Sequence, residues 1–130
     1  MHVANTGDAK FQSRTGQAIF TGEVHSAGLV DDKMTEQTRL LLVKFSPGAR
    51  TTWHTHTFEQ ALIITEGKGI VASESQGERV VEPGDVVVFA TNEKHWHGGT
   101  NHTGMTHIAV NLAGSSEVLE PVEKIQTPGV

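Results

Sequence analysis

The sequence predicts a single-domain, all-β protein, either a sandwich or a barrel, on three observations. Short runs rich in β-branched and aromatic residues recur at intervals of roughly 8–12 residues, with glycine or proline turns between them. No apolar repeat of about 3.6 residues is sustained over three helical turns before residue 115. A chain of 130 residues is also long enough for one hydrophobic core but not for two.

The strand-like runs divide the chain into three parts. Residues 1–17 are polar without a period, and they form an N-terminal arm that is either disordered or laid along a partner subunit. Residues 18–115 form the β domain, and residues 116–130 form a C-terminal extension. Strands are expected, in chain order, at 18–24, 38–46, 61–65, 70–73, 78–82, 86–90, 95–99 and 105–112.

Turn residues mark the ends of these strands. Pro47-Gly48, Gln76-Gly77 and Pro83-Gly84 are turn signals, and residues 66–69 form a hairpin turn. Residues 28–37 read as a loop. Residues 115–125 predict either a short helix or an edge strand, because Pro121 weakens both assignments.

Composition narrows the classes of function. The formal net charge is −5 and no basic run could follow a phosphate backbone, so a small molecule is expected as partner and nucleic acid is not. The chain has no cysteine, so metal ligands must come from histidine, carboxylate or amide groups. The longest apolar runs are too short for a bilayer, and residues 1–10 lack a signal-peptide pattern. A cytoplasmic protein without membrane contact is the expectation.

Two His-x-His sequences suggest a metal site. His54 and His56 leave the same face of a strand because side chains alternate. Provided that no bulge intervenes, Gln60 shares their parity, whereas Glu59 has the opposite one. His95 and His97 form the second pair downstream. Two such pairs brought together would provide several imidazole ligands for a metal ion.

These residues resemble the two motifs of the cupin superfamily, a family of double-stranded β-helix (jelly-roll) barrels. In the first motif, Gly48, His54, His56 and Gly67 stand at the family's spacing, with Gln60 in place of the motif's glutamate. In the second motif Gly84 and His95 are in register. Its proline, glycine and asparagine are replaced by Ala90, Asn92 and Gly99. The resemblance covers about 40–112 and implies a cupin barrel.

A narrower resemblance follows from Gln60. The segments PGARTTWHTH, EKHWHG and MTHIAVN are similar to those of bacterial cupins that bind manganese and act as hydroxynitrile lyases. That resemblance implies His54, His56, Gln60 and His95 as ligands of Mn²⁺, with Fe²⁺, Ni²⁺, Co²⁺ or Zn²⁺ as other possible occupants. It implies His107 as the proton-transfer residue, and His97 is the second catalytic candidate. The expected substrate pocket comprises Leu41, Val43, Phe58, Trp96 and Asn111.

Several alternatives remain open on the sequence. Gln60 is either a ligand or a polar residue beside the site, and His97 either lines the pocket or stacks at its mouth. His107 shares a strand face with Ala109 and Asn111. A cupin dioxygenase acting on a dicarbonyl, phenolic or flavonol-like substrate is the second candidate function, and a non-catalytic, metal-anchored binding protein is the third. Cupin barrels commonly pair, so a homodimer or homotetramer is expected.

Overall fold

The computed structural model describes all of residues 1–130 and is built from β-strands. The strands are β1 (Gln12–Ser13), β2 (Phe20–Thr21), β3 (Val24–Val30), β4 (Thr38–Phe45), β5 (Arg50–Thr51), β6 (His54–His56), β7 (Gln60–Gly67), β8 (Gly69–Ser73), β9 (Gly77–Val81), β10 (Val86–Phe89), β11 (His95–Gly99), β12 (Met105–Leu112) and β13 (Ser116–Val118). The only helical element is a 3-10 turn at Thr6–Asp8, and no helix is long and apolar enough to cross a membrane. The all-β prediction is confirmed.

The strands form two antiparallel sheets. The first has the order β1-β3-β4-β12-β7-β10, and the second has the path β13-β6-β11-β5-β2, with β8 paired to β11 and β9 paired to β8. In the first sheet, Val43 of β4 stands opposite His107 of β12, and His107 stands opposite Ile64 of β7. In the second sheet, His95 of β11 stands opposite His54 of β6. The two sheets therefore bring their histidines into one interior.

The main core fills the space between the sheets. Its largest fully buried side chains are those of Phe45, Leu62, Ile64 and Met105, each exposing 1% or less of its surface. These side chains alternate along β4, β7 and β12 with outward-facing ones, as expected for a sheet with one face on the core. Phe45 also lies against the rings of His97 and His107, so the core continues directly into the histidine cluster.

A second apolar cluster lies on the outer face of the second sheet. Trp96, Ile70 and Ala72 pack there against Val122 and Ile125 of the C-terminal extension. The extension is also held by polar contacts at two points along its length. The guanidinium of Arg50 donates to the Val122 carbonyl at 2.7 and 3.0 Å, and the carboxylate of Glu78 accepts from the backbone of Gln126 and Thr127 at 2.8 Å. The C-terminal extension therefore packs over the outer face of the second sheet.

The N-terminal segment packs on its own barrel from Gln12 onward. Gln12 and Ser13 pair with Ser26 and His25 of β3, and β2 pairs with β5. Each of these pairings is only two residues long, which is too short to leave a periodic pattern in the sequence.

Three segments differ from the sequence prediction. The strand expected at 18–24 is divided, with Phe20–Thr21 forming β2 and Val24 beginning β3. β3 continues to Val30 through a register shift after Gly28, whereas residues 28–37 were expected to be a loop. A glycine inside a strand often marks such an irregularity, and this one was read as the beginning of the loop. Between 115 and 125 only Ser116–Val118 forms a strand, paired with β6, so the helix alternative is wrong.

Candidate metal centre

Two glycines allow the histidine strands to approach each other. Gly48, in the turn before β5, has φ +79°, which is a conformation that side chains disfavour. At Gly98 a Cβ atom would lie 2.4 Å from the carbonyl oxygen of Ala49. The backbone of β11 therefore runs directly against β5, and this contact sets His97 beside His54.

The turn before His95 contains a residue with a left-handed backbone conformation. Asn92 stands where the motif has glycine, and it has φ +63°. Asparagine is among the few residues that tolerate this left-handed region. The backbone N–H of Asn92 donates to the His56 carbonyl at 2.9 Å, so the turn is tied to the first histidine strand.

His54 and His95 each present a free nitrogen lone pair to the interior. Nδ1 of His54 lies 2.9 Å from the Thr52 carbonyl oxygen, and Nδ1 of His95 lies 2.7 Å from that of Glu93. A carbonyl only accepts, so Nδ1 carries the proton in both rings and Nε2 is the acceptor. Each side chain is 1% exposed, and the ring centroids are 4.2 Å apart.

Gln60 faces His95 with its carbonyl oxygen. Its Nε2 donates to Oδ1 of Asn111 at 2.8 Å, which turns Oε1 toward Nε2 of His95 at 3.1 Å. Both of these atoms are acceptors, so the contact is not a hydrogen bond between neutral groups. A cation bound between them would satisfy both.

His56 contributes a further unsatisfied nitrogen. Its Nδ1 bonds Oγ of Ser116 at 2.6 Å, and its Nε2 is buried without any partner. The ring of Phe58 stacks on that of His56 at 4.8 Å and fixes its plane. Ser116 belongs to β13, so the C-terminal extension orients a residue of the site.

His97 and His107 form a hydrogen-bonded pair next to these residues. Nδ1 of His97 lies 3.2 Å from Nε2 of His107, and the outer nitrogens, Nε2 of His97 and Nδ1 of His107, are buried and unpartnered. The ladder between β12 and β7 shifts between Thr106 and His107. Such irregularities are common beside functional sites, where they re-aim a side chain.

Burial keeps the imidazoles neutral. Loss of solvation lowers the pKa of His54 to about 4 and that of His95 and His107 to about 3. The pKa of His97 is held well below its ordinary value, first by burial and then by the neighbouring His107. Neutral imidazole is the form that binds metals, so the cluster is in its ligating state at neutral pH.

The cluster offers two sets of imidazoles for one ion. Ligand nitrogens of His54, His95 and His97 lie within 4.8 Å of one another. The His56 ring is nevertheless closer to those of His54 and His95, at 4.8 and 5.2 Å between centroids, than the His97 ring at 5.5 and 5.9 Å. The unpartnered Nε2 of His56 and the contact between Gln60 and His95 favour the set that contains His56 over the set that contains His97. The sequence predicted His97 as a catalytic or pocket residue and did not predict it as a metal ligand.

A cavity of about 330 Å³ opens onto this cluster. Leu41, Val43 and Asn111 line it, as do all the clustered histidines except His95. Phe58 and Trp96 do not line it, which corrects their assignment to the substrate pocket. Phe58 lies against His56, and Trp96 points out of the barrel because it alternates with His95 and His97.

Residues of the N-terminal segment complete the cavity mouth. Arg14, Gln17, Ile19 and Phe20 lie in its wall, and the sequence analysis did not identify any of them as a cavity residue. A larger cavity of about 530 Å³ lies between β9 and β10, but it contains no histidine. The cavity onto which the histidines open is therefore the candidate functional site.

Comparison with known families agrees with this fold. The sequence profile described as "Cupin domain" matches residues 41–111, and the chain belongs to the cupin family. The (R)-mandelonitrile lyase of Granulicella tundricola is 52% identical over 83 residues, which are 64% of this chain and 63% of that protein. The match thus spans less than two thirds of that relative.

Solved structures give the same fold. A cupin-like protein from Thermotoga maritima superposes with a TM-score of 0.81 at 36% identity, covering 87% of this chain and 88% of that one. The polyketide cyclase RemF from Streptomyces resistomycificus superposes with a TM-score of 0.76 at 18% identity, covering 98% and 94%. At the latter identity the likeness concerns the fold alone.

Proposed function

We propose that the protein is a metal-dependent lyase of the hydroxynitrile lyase type, which cleaves a cyanohydrin reversibly into an aldehyde or ketone and cyanide. The observation that carries the proposal is the buried His97–His107 pair, which opens onto the same cavity as a charge-neutral ligand set. The partial match to a mandelonitrile lyase supports the same reaction.

The ligand set would hold a divalent ion through His54, His56, His95 and the oxygen of Gln60, and Mn²⁺ is the proposed occupant. When bound, the ion supplies a positive charge that polarises a substrate oxygen. Since all four ligands are neutral, the ion keeps its full charge of two. Such a site favours stabilisation of an anion over cycling between oxidation states.

The His97–His107 pair can accept a proton at one outer nitrogen and donate a proton from the other. Both rings are neutral and share one hydrogen bond, so in either tautomer one outer nitrogen is an acceptor and the other is a donor. The acceptor end takes the hydroxyl proton of the cyanohydrin while its C–CN bond breaks and a C=O bond forms. The donor end protonates the departing cyanide, and the pair is left in the opposite tautomer.

The residues around the pair fit a reaction that excludes water. Leu41, Val43 and Ala109 give the cavity an apolar side, and His107 has no exposed surface. A low-polarity wall discourages charged intermediates from escaping and strengthens the remaining electrostatic contacts.

The experiment is to follow cyanide release from mandelonitrile by the Mn²⁺-loaded protein, with the chelator-treated protein as control. We expect release that depends on metal and reverses to cyanohydrin synthesis with excess benzaldehyde and cyanide. Oxygen consumption with a diketone or flavonol, without cyanide release, would replace the proposal with a dioxygenase. Tight ligand binding without any turnover would make the protein a binding module.

A further inference from the structure

The cavity walls carry a single charged side chain. Sixteen residues line the cavity, among them four neutral histidines, and Arg14 is the only cation. No aspartate or glutamate is among them. A cation facing a cavity without an acidic neighbour lacks the partner that buried or half-buried charges ordinarily have. The missing partner can be supplied by an anionic ligand.

The position of Arg14 is set by β3. Its backbone N–H donates to the Val24 carbonyl at 2.8 Å, and its Nε donates to Oγ of Ser26, also at 2.8 Å. Ser26 is 6% exposed and points into the barrel. No carboxylate forms a salt bridge with Arg14, and its two Nη groups bond no protein acceptor. The guanidinium is therefore oriented through Nε, with the Nη groups left to a ligand.

Arg14, through its contact with Ser26, and His107 stand apart along the first sheet, which forms one wall of the cavity. Ser26 stands opposite Val43, and Val43 stands opposite His107, so two strand spacings separate Ser26 from His107. At about 4.8 Å per spacing this is roughly 10 Å along the sheet. A small molecule with one polar end at each side would fill this gap.

We propose that the cavity takes a small molecule that bears a carboxylate and that the two Nη groups of Arg14 bind this carboxylate. The planar guanidinium matches a carboxylate with two parallel hydrogen bonds. The inference rests on the proposed function for the reacting end. For the lyase, the substrate is a cyanohydrin, or its parent aldehyde, whose carboxylate lies at the end remote from the reacting carbon. Arg14 is then a specificity residue.

The test compares the binding of 4-formylbenzoate and of its methyl ester to the Mn²⁺-loaded protein by calorimetry. The two probes differ in charge at one end and share the aldehyde. We expect the carboxylate to bind at least tenfold more tightly than the ester, as for a hydrogen bond to a charged group. Arg14→Gln should remove this preference, and Arg14→Lys should keep part of it. Arg79→Gln, an exposed cation on β9, should leave it unchanged.

Two results would overturn the inference. One is equal affinity of the wild-type protein for the two probes. The other is a preference for the carboxylate that persists in Arg14→Gln, since the carboxylate is then held elsewhere, for example at the metal. Binding needs no turnover, so a carboxylate preference without cyanide release overturns the lyase and leaves the role of Arg14. Cyanide release without a preference for the carboxylate supports the lyase and overturns the role of Arg14.

Discussion

Oε1 of Gln60 lies 3.1 Å from Nε2 of His95, although Nδ1 of His95 already donates to the Glu93 carbonyl. Two acceptors thus face each other in the interior, and the amide of Gln60 is held in that orientation by Asn111. Burial lowers the pKa of His95 to about 3, so a proton does not resolve the contact at neutral pH. A metal ion bound by both atoms does resolve it.

Gln60→Glu tests this relationship. A carboxylate accepts but does not donate, so the variant should keep the metal and bind it more tightly because of the added negative charge. The same charge reduces the polarising power of the ion, and cyanide release should fall by about tenfold or more. Metal affinity from chelator competition and the lyase rate together check this. Loss of metal from the variant would show instead that the Gln60 amide donates to His95.

Separate replacement of His56 and His97 by alanine distinguishes the two ligand sets. If His54, His56, Gln60 and His95 bind the ion, His56→Ala should lower metal affinity by about ten- to a hundredfold or more, and His97→Ala should leave it nearly unchanged. The bound metal per chain after gel filtration is the measurement. The opposite pattern would place His97 in the ligand shell and remove His56 from it.

His107→Ala should abolish cyanide release while one metal ion per chain remains bound. His107 is needed to complete the proton relay but is absent from the proposed ligand set, so a loss of about a hundredfold or more is expected. Metal content of the same preparation controls for misfolding. Full activity in this variant would exclude His107 from the mechanism.

The metal-free protein should become less stable as the pH falls below 7. The folded-state pKa values of His54, His95 and His107 are lowered to about 4, 3 and 3, against 6.5 as the ordinary value. Between pH 6.5 and the lowered pKa values, the histidines of the unfolded chain take up protons that those of the folded chain do not. The contribution of these histidines to the free energy of unfolding is therefore complete above pH 6.5. It is lost toward pH 3, by up to about 1.4 kcal/mol per pH unit for each group.

Urea unfolding of the metal-free protein at pH 7, 6 and 5 measures this slope. His107→Leu removes one of the groups without adding a charge, so it should reduce the slope. A free energy of unfolding that stays constant from pH 7 to pH 5 would contradict the burial of neutral histidines in the metal-free protein.

The protein should form a homodimer through the outer face of its first sheet. Val86 and Val88 of β10 are each 63% exposed, and Val86 stands opposite Ile63, which is 38% exposed. An exposed apolar strip of this kind is a common site of association. Light scattering should give twice the chain mass of 14.0 kDa. Val86→Asp with Val88→Asp should give the single-chain mass, and a monomeric wild-type protein would rule the dimer out.

Strand parity correctly predicted that His54 and His56 share one face, and the structure places both in one interior with His95. Gln60 also faces this interior, but it begins β7 in the other sheet, so its position does not follow from parity along one continuous strand. The same rule excludes Trp96 from the cavity, since it alternates with His95 and His97. Trp96 packs instead with Val122 in the outer apolar cluster. Its assignment to the substrate pocket was wrong because it rested on the aromatic side chain and disregarded strand parity.

Contacts between distant segments could not be predicted from the sequence. Arg14 reaches the cavity because two residues of β1 pair with β3, and Ser116 reaches His56 because three residues of β13 pair with β6. Strands this short leave no periodic pattern. Asn92 stands where the family motif has glycine, and its backbone adopts a left-handed conformation that asparagine tolerates. The departure from the motif at this position is therefore compatible with the turn.

Titration of Mn²⁺ into the metal-free protein, with the unfolding temperature and the bound metal measured on the same samples, tests the metal centre most directly. We expect saturation at one ion per chain and a rise in unfolding temperature. The added stability should be about 2.7 kcal/mol when free metal is about a hundred times its dissociation constant. His54→Ala should show neither effect. Unfolding temperatures that are equal with and without Mn²⁺, or no saturable binding, would contradict the metal centre on which the proposed function depends.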